Sequence, residues 1–171
     1  KDAWKAAWGS RFLMNLLAVI ICGSLMLVFV PGYFDFIQKR QGIFLNDLLL
    51  SQLPSKDLSW FIFPIIHFCT ILTIINLSYY PSMFLIGLQT YILVTLARLT
   101  CIYFVALEPP EGIILLIDPV NEKVFYGNQT ITKDLFFSGH TAAQFLLFLI
   151  AQNKILKYLF FILTLILIVM I

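Results

Sequence analysis

A short polar stretch, Ser138-Gly139-His140-Thr141, combines residue types that suit phosphoryl chemistry. It stands where a polar segment gives way to a run of apolar residues, so Ser138 is a natural N-cap of the helix that the run predicts. The first N–H groups of a helix carry a partial positive charge and have no intrahelical partner, which suits a phosphate. An imidazole there exchanges protons near neutral pH. We predict a catalytic acid or base, His140, and a phosphate-binding turn of Ser138, Gly139 and Thr141. The structural alternative is a helix start whose histidine lies at the level of the lipid head groups.

Arg98 is the second residue that we assign to phosphate binding. It lies nine residues before Leu107 in an apolar run, which is about 13 Å along a helix at about 1.5 Å per residue. An arginine at that depth costs about 2.5–3.5 kcal/mol on insertion scales, so we expect it to face the protein interior. Its planar guanidinium matches the oxygens of a phosphate. The alternatives are snorkelling to the membrane interface and pairing with a buried carboxylate.

Three further polar residues are candidates for substrate positioning: Asp134, Tyr103 and Glu108. For Tyr103 the alternative is an interfacial anchor, and for Glu108 it is solvation of a loop. His67 stands in the middle of an apolar run, where an interhelical hydrogen bond is favoured over a proton relay. The three cysteines form neither a CxxC pair nor a metal-ligand spacing with histidine, so no metal site is predicted.

The composition places these residues in a membrane. The chain has 171 residues, of which 61% are hydrophobic and 12% charged, whereas soluble domains are about 45–50% apolar and about 25% charged. A membrane-spanning helix needs about 20 apolar residues, with a range of about 17–25. The sequence therefore predicts an all-α, multi-pass transmembrane helix bundle that forms a single membrane domain over residues 1–171. The five predicted spans are Phe12–Val30, Trp60–Leu77, Met83–Leu107, Leu135–Ala151 and Ile155–Ile171.

Helix counting puts two longer polar connections, Gly32–Ser59 and Glu108–Asp134, on the same side of the membrane as His140. The Lys and Arg residues outside the spans are divided equally between the two sides, so the positive-inside rule does not orient the chain. We expect the face that carries His140 to be periplasmic or luminal. Trp4 and Trp8, four residues apart, predict a short helix on the bilayer surface. The net charge of +2 and the absence of a basic cluster exclude a nucleic-acid partner.

On these residues the sequence resembles the sphingomyelin synthase-like branch of the type 2 phosphatidate phosphatase superfamily. The stretch Asp134–Thr141 looks like that branch's signature Asp-x-Leu-Phe-Ser-Gly-His-Thr. It departs from many members of the family in the spacing of its apolar residues, where it has a phenylalanine. Arg98–Pro110 is similar to the motif at the end of the family's third core helix. The loop Gly42–Asp57, with Asn46-Asp47 and Leu53-Pro54, is a fainter likeness of its early Pro/Asp-rich loop.

The resemblance implies six transmembrane helices, of which five are present, and phosphohistidine chemistry without metal or cofactor. It makes His140 the general acid for the leaving alkoxide and a second histidine the nucleophile, oriented by an aspartate four residues later. That second pair belongs at the start of a sixth helix and does not occur in this sequence. We therefore expect a chain that is truncated at its C-terminus and inactive as it stands.

The predicted function is that of a membrane enzyme of lipid metabolism that transfers or hydrolyses a lipid phosphate-ester head group. Its partners are membrane lipids: a phospholipid donor and a ceramide or diacylglycerol acceptor. The alternative is a non-catalytic membrane protein that binds lipid phosphates or acts as a scaffold and lacks the nucleophilic histidine. A transporter with Arg98 and His67 along its pathway is a third hypothesis, but the sequence has neither broken helices nor two matching halves.

Overall fold

Helices make up most of the chain in the computed structural model, which describes residues 2–45, 56–110, 112–114, 118 and 130–170. Two short strands, β1 and β2, pair in parallel, with Ile43 opposite Leu107 and Phe44 opposite Glu108. The described elements, in chain order, are α1 Asp2–Ala7, α2 Ser10–Lys39, β1 Ile43–Phe44, α3 Ser59–Leu77, α4 Pro81–Phe104, β2 Leu107–Glu108, α5 Gly139–Ile150 and α6 Lys154–Met170.

Three of these helices, α2, α3 and α4, are long and apolar enough to cross a membrane. Their outer faces expose large apolar side chains, among them Val28, Phe29 and Leu93, which is typical of a surface that contacts lipid. The mostly helical architecture is therefore confirmed, with three helices that are candidates for membrane spans. The count of five spans is not confirmed. Helix α5 has 12 residues, fewer than the range of about 17–25 for a span, and α6 has 17, at the lower end of that range.

The predicted end of the first span at Val30, before Pro31, is wrong, because α2 continues through Pro31 to Lys39. A proline removes one helical hydrogen bond, a loss that tertiary packing tolerates in an apolar environment. Here the packing is visible, since three side chains of α2 are buried against Ile102 of α4: Val30, Phe34 and Ile37. The 30 residues of α2 span about 45 Å at about 1.5 Å per residue, so the helix exceeds a hydrocarbon core of about 30 Å.

Helix α5 lies among α3, α4 and α6 and contacts all three. Two buried clusters hold this part of the fold together. One joins α3 to α6 through Ile62, Phe63, Ile66 and Leu167, and the other contains Cys69, Ala151 and Phe160. Because α5 packs against several helices at once, the residues of its first turn are partly buried.

The N-terminal helix α1 is fixed to the turn between α3 and α4. The Nε1 of Trp4 donates a hydrogen bond to the carbonyl oxygen of Ser78 at 2.7 Å, and its ring meets that of Phe84 edge-on at 6.1 Å between centroids. Indole rings favour such positions, where an apolar body contacts helices and the N–H finds an acceptor.

The chain after α2 passes very close to the chain after α4. A Cβ atom on Gly42 would lie 2.7 Å from the carbonyl carbon of Leu107, so only glycine fits beside this backbone. The next residue, Ile43, donates its N–H to the carbonyl oxygen of Ala106 at 2.9 Å. The described beginnings of the two polar connections thus meet at one end of the helices.

Candidate functional site

The first turn of α5 has the cap that the sequence predicts. The Oγ of Ser138 accepts a hydrogen bond from the N–H of Thr141 at 3.2 Å, and the Thr141 hydroxyl donates to the same oxygen at 3.1 Å. The N–H of Gly139 has no hydrogen-bond partner within the described ranges. The helix begins at Gly139, so the predicted start of the fourth span at Leu135 falls in an irregular segment that leads into the cap.

Arg98 reaches from α4 to the segment that precedes α5. Its Nε donates to the carbonyl oxygen of Phe137 at 3.1 Å, and its Nη2 pairs with the carboxylate of Asp134. A Cβ atom on Gly139 would lie 3.0 Å from the Arg98 Cζ, so the glycine lets the guanidinium lie directly against the backbone of the helix start. Both side chains are largely buried, with 16% of Arg98 and 7% of Asp134 exposed. The pairing of Arg98 with a buried carboxylate, one of the alternatives drawn from the sequence, is therefore present.

His140 makes a second pair between a basic group and a carboxylate in the same region. Its Nε2 lies 2.8 Å from Oδ2 of Asp118, whose side chain is 7% exposed. The ring of Phe63, from α3, meets the imidazole edge-on at 5.4 Å between centroids. One turn further along α5, Gln144 is completely buried, on the helix face that it shares with His140 as the four-residue spacing predicts.

Asp118 is the residue of this site that sequence reasoning missed. It is separated from His140 by 22 residues, a distance over which no helical or strand periodicity operates. A signal was present, because Asp118 is a carboxylate directly after the apolar run Ile113–Ile117 and before a proline. An acidic group at the end of such a run is costly unless it is paired.

The other two candidates, Tyr103 and Glu108, lie away from the contacts that Arg98 and His140 make. The ring of Tyr103 is half-exposed and stacks on Phe36 at 6.3 Å between centroids, and Glu108 belongs to a different cluster described below. In the described part of the chain no contact joins either side chain to Arg98 or His140. Residues Asn46-Asp47 and Leu53-Pro54 of the early loop lie outside the described residues.

His67 does not form the interhelical hydrogen bond that was favoured for it. It lies on the exposed face of α3 and makes no hydrogen bond or ion pair within the described ranges. The reason is helical position, because the inward face of α3 is taken up by Ile62, Ile66, Cys69 and Thr73. His67 is therefore not part of the site around His140.

A polar cluster at the end of α2, which we call the latch, consists of Gln38, Arg40, Glu108 and Lys133. The Nζ of Lys133 donates to Oε1 of Glu108 at 2.7 Å and to the carbonyl oxygen of Arg40 at 2.6 Å. The Oε1 of Gln38 accepts the N–H of Thr132 at 2.9 Å. Because Thr132 and Lys133 directly precede Asp134, the latch fixes the segment that delivers this carboxylate to Arg98.

The guanidinium of Arg40 adds a cap to α4. It donates to the carbonyl oxygens of Ile102, Tyr103 and Val105 at the end of that helix. Carbonyl groups in the last turn have no intrahelical partner and carry partial negative charge, so a cation there stabilises the helix end. The end of α4 is thereby tied to the end of α2.

Because the latch contains the ion pair of Lys133 and Glu108, we expect the stability of the folded protein to depend on pH in the acidic range. The hydrogen bond from Lys133, followed by that from the Gly42 N–H, lowers the pKa of Glu108 below its ordinary value of 4.5. A carboxyl group with a lowered pKa in the folded state stabilises it above the unfolded pKa, and this contribution disappears as the pH falls through the lowered value. We expect the Tm of the wild-type protein to fall on acidification below 4.5 more steeply than that of Glu108→Gln, measured by thermal denaturation in detergent. Parallel curves for the two proteins would contradict the role of this ion pair.

The site thus consists of a capped helix start, a guanidinium against its glycine, and an imidazole held by a buried carboxylate. This arrangement can bind an anion and move a proton. Comparisons of the chain with protein-family models, with curated proteins and with solved structures give no match.

Proposed function

We propose that this chain forms the phosphate-binding and proton-transfer part of a multi-pass membrane enzyme that transfers or hydrolyses the phosphate-ester head group of a lipid. One observation supports this most strongly. His140, paired with Asp118, and the Arg98 guanidinium, packed on Gly139, meet at the first turn of α5. A proton-transfer group and a cation at the start of a helix are the parts that a phosphate ester requires.

In this proposal the lipid phosphate lies at the Gly139 N–H and shares the Arg98 guanidinium with Asp134. The partial positive charge of the helix start and the guanidinium stabilise the charge that develops on the phosphate oxygens. His140 delivers a proton to the leaving alkoxide. Catalysis of phosphoryl transfer rests mainly on such positioning and charge stabilisation.

The proposal extends to the membrane topology and the family. The segment that leads into α5, α5 itself and α6 supply the fourth and fifth spans of a bundle of six, with His140 on the periplasmic or luminal face. We propose that the chain belongs to the sphingomyelin synthase-like branch of the type 2 phosphatidate phosphatase superfamily, which its Asp134–Thr141 stretch resembles. The donor is then a phospholipid, and the acceptor is water, ceramide or diacylglycerol.

Lipid turnover tests this function. The full-length protein is reconstituted in nanodiscs with head-group-labelled phospholipids, with and without ceramide or diacylglycerol. We expect release of the head group as a phosphate compound in the absence of acceptor, or its appearance on the added lipid alcohol. If the label stays on the donor under all these conditions, the enzyme assignment fails.

The non-catalytic alternative is favoured by one contact. Because Arg98 pairs with Asp134, the chain neutralises this buried cation without any lipid. A scaffold or lipid-binding protein would retain such a site and would bind lipid phosphates in the nanodisc without turnover.

A further inference from the structure

We infer that Asp118 is the positioning residue of His140: its carboxylate holds the Nε2 proton and so makes Nδ1 the nitrogen that exchanges a proton with the lipid phosphate ester. This inference rests on the proposed function of the same site and adds to it a residue and a direction of proton transfer. No feature of the sequence motif around His140 specifies either.

The contact itself sets the tautomer. Nε2 of His140 lies 2.8 Å from Oδ2 of Asp118, within the range of an ordinary hydrogen bond. An ionised carboxylate has only acceptor oxygens, so the imidazole nitrogen must carry the proton. In a neutral imidazole the other nitrogen, Nδ1, then has the lone pair that accepts a proton.

Burial and packing keep the imidazole in this orientation. Asp118 is 5% exposed, so water competes little for its oxygens. Phe63, which is 7% exposed, contacts the imidazole edge-on with 64° between the ring planes. Two groups from different parts of the chain therefore restrict rotation of a side chain that is itself 23% exposed.

The two carboxylates of the site contact different basic side chains. Asp134 pairs with Arg98 and Asp118 with His140. Asp134 therefore supports the binding segment, whereas Asp118 supports the proton-transfer group. Substitution of the two residues should consequently produce different defects.

The proposed tautomer sets the direction of the proton step. The step begins from the imidazolium, with one proton on Nε2 and one on Nδ1. When the bond between phosphorus and the leaving oxygen breaks, the phosphoryl group passes to the nucleophile that the resemblance implies, a nitrogen of a second imidazole, and the leaving alkoxide takes the proton from Nδ1. The imidazole is then neutral, with its remaining proton between Nε2 and Asp118. When water or a lipid hydroxyl later takes up the phosphoryl group, its proton returns to Nδ1.

The tautomer can be measured directly by ¹⁵N NMR of the protein labelled at histidine. The sequence contains two histidines, so His67→Gln leaves the signals of His140, and His140→Gln identifies them by their loss. At a pH where the ring is neutral, we expect the Nε2–H tautomer alone in the wild type and a mixture of both tautomers in Asp118→Ala. An Nδ1–H tautomer in the wild type would overturn the inference. This outcome is read from protein that retains Asp118, so it does not depend on whether the Asp118 variant folds.

Kinetics supply the second readout in a protein that turns over lipid. Asp118→Asn is expected to lower kcat about 10²- to 10⁴-fold with little change in KM, because the lipid still binds while the proton-transfer group is misoriented. A rise in KM of the same size, with kcat unchanged, would assign Asp118 to lipid binding and contradict the inference. The NMR result does not depend on lipid, so absence of turnover with an intact Nε2–H tautomer would refute the proposed function and leave the positioning role standing.

Discussion

Arg98→Leu is expected to destabilise the folded protein by about 3–5 kcal/mol, because it leaves a buried carboxylate without its cation. The carboxylate is that of Asp134, whose side chain is 7% exposed. The substitution also removes the hydrogen bond to the Phe137 carbonyl. Denaturant or thermal unfolding in detergent, followed by circular dichroism, measures the loss.

Two comparisons separate this buried pair from a general effect of substitution. Arg98→Leu combined with Asp134→Leu should recover much of the stability, since replacing both partners of a buried pair by apolar residues is often close to neutral. Lys39→Leu removes the cation of an exposed pair with Asp35, in which 73% of the lysine side chain is exposed, and should cost far less. If Arg98→Leu and Lys39→Leu have equal effects, Arg98 is not the anchor of the segment before α5.

In a protein that turns over a lipid phosphate ester, as the proposed function requires, His140→Gln is expected to lower the rate about 10²- to 10⁴-fold, the usual contribution of general acid–base catalysis. Glutamine keeps a polar side chain at the helix start but cannot exchange a proton near neutral pH. Initial rates with a head-group-labelled phospholipid in nanodiscs measure the effect.

The matched control for this substitution is His67→Gln, which makes the same chemical change on the exposed face of α3. It should leave the rate within a small factor of the wild type, because no described contact joins His67 to the site. A rate loss in His67→Gln comparable to that in His140→Gln would contradict the assignment of the proton-transfer role to His140.

The sequence predicts the middle helices well because their limits are local. The predicted spans Trp60–Leu77 and Met83–Leu107 are close to the observed helices Ser59–Leu77 and Pro81–Phe104. A proline and interfacial aromatic residues mark the turn between them. The predicted end of α2 was wrong, because packing against Ile102 stabilises the helix beyond Pro31. Such tertiary packing overrides a local helix-breaking signal.

The candidate site likewise has some features that the local sequence predicts and others that depend on the tertiary structure. The cap at Ser138 follows from neighbouring residues and was predicted, as was the inward direction of Arg98. Asp118 comes from a part of the chain that only the fold brings to His140. The role of Asp134 as the partner of Arg98 likewise depends on the latch, whose members lie in three separate segments.

The latch also explains why two separated polar connections behave as one unit. Glu108 follows α4, Lys133 precedes α5, and Arg40 follows α2, yet a single ammonium group joins them. Disruption at this cluster should therefore affect the Arg98–Asp134 pair even though neither residue belongs to the latch. This coupling links the stability of the polar end to the geometry of the site.

The proposed function requires a lipid phosphate next to the imidazole of His140. The most direct measurement is solid-state NMR of the ¹⁵N-histidine-labelled protein with a lipid phosphonate that cannot be cleaved, using ³¹P–¹⁵N dipolar recoupling. We expect dephasing of the His140 Nδ1 signal by phosphorus, retained in His67→Gln. Dephasing absent from His140 at saturating lipid, with the protein folded, would contradict a phosphate site at the start of α5.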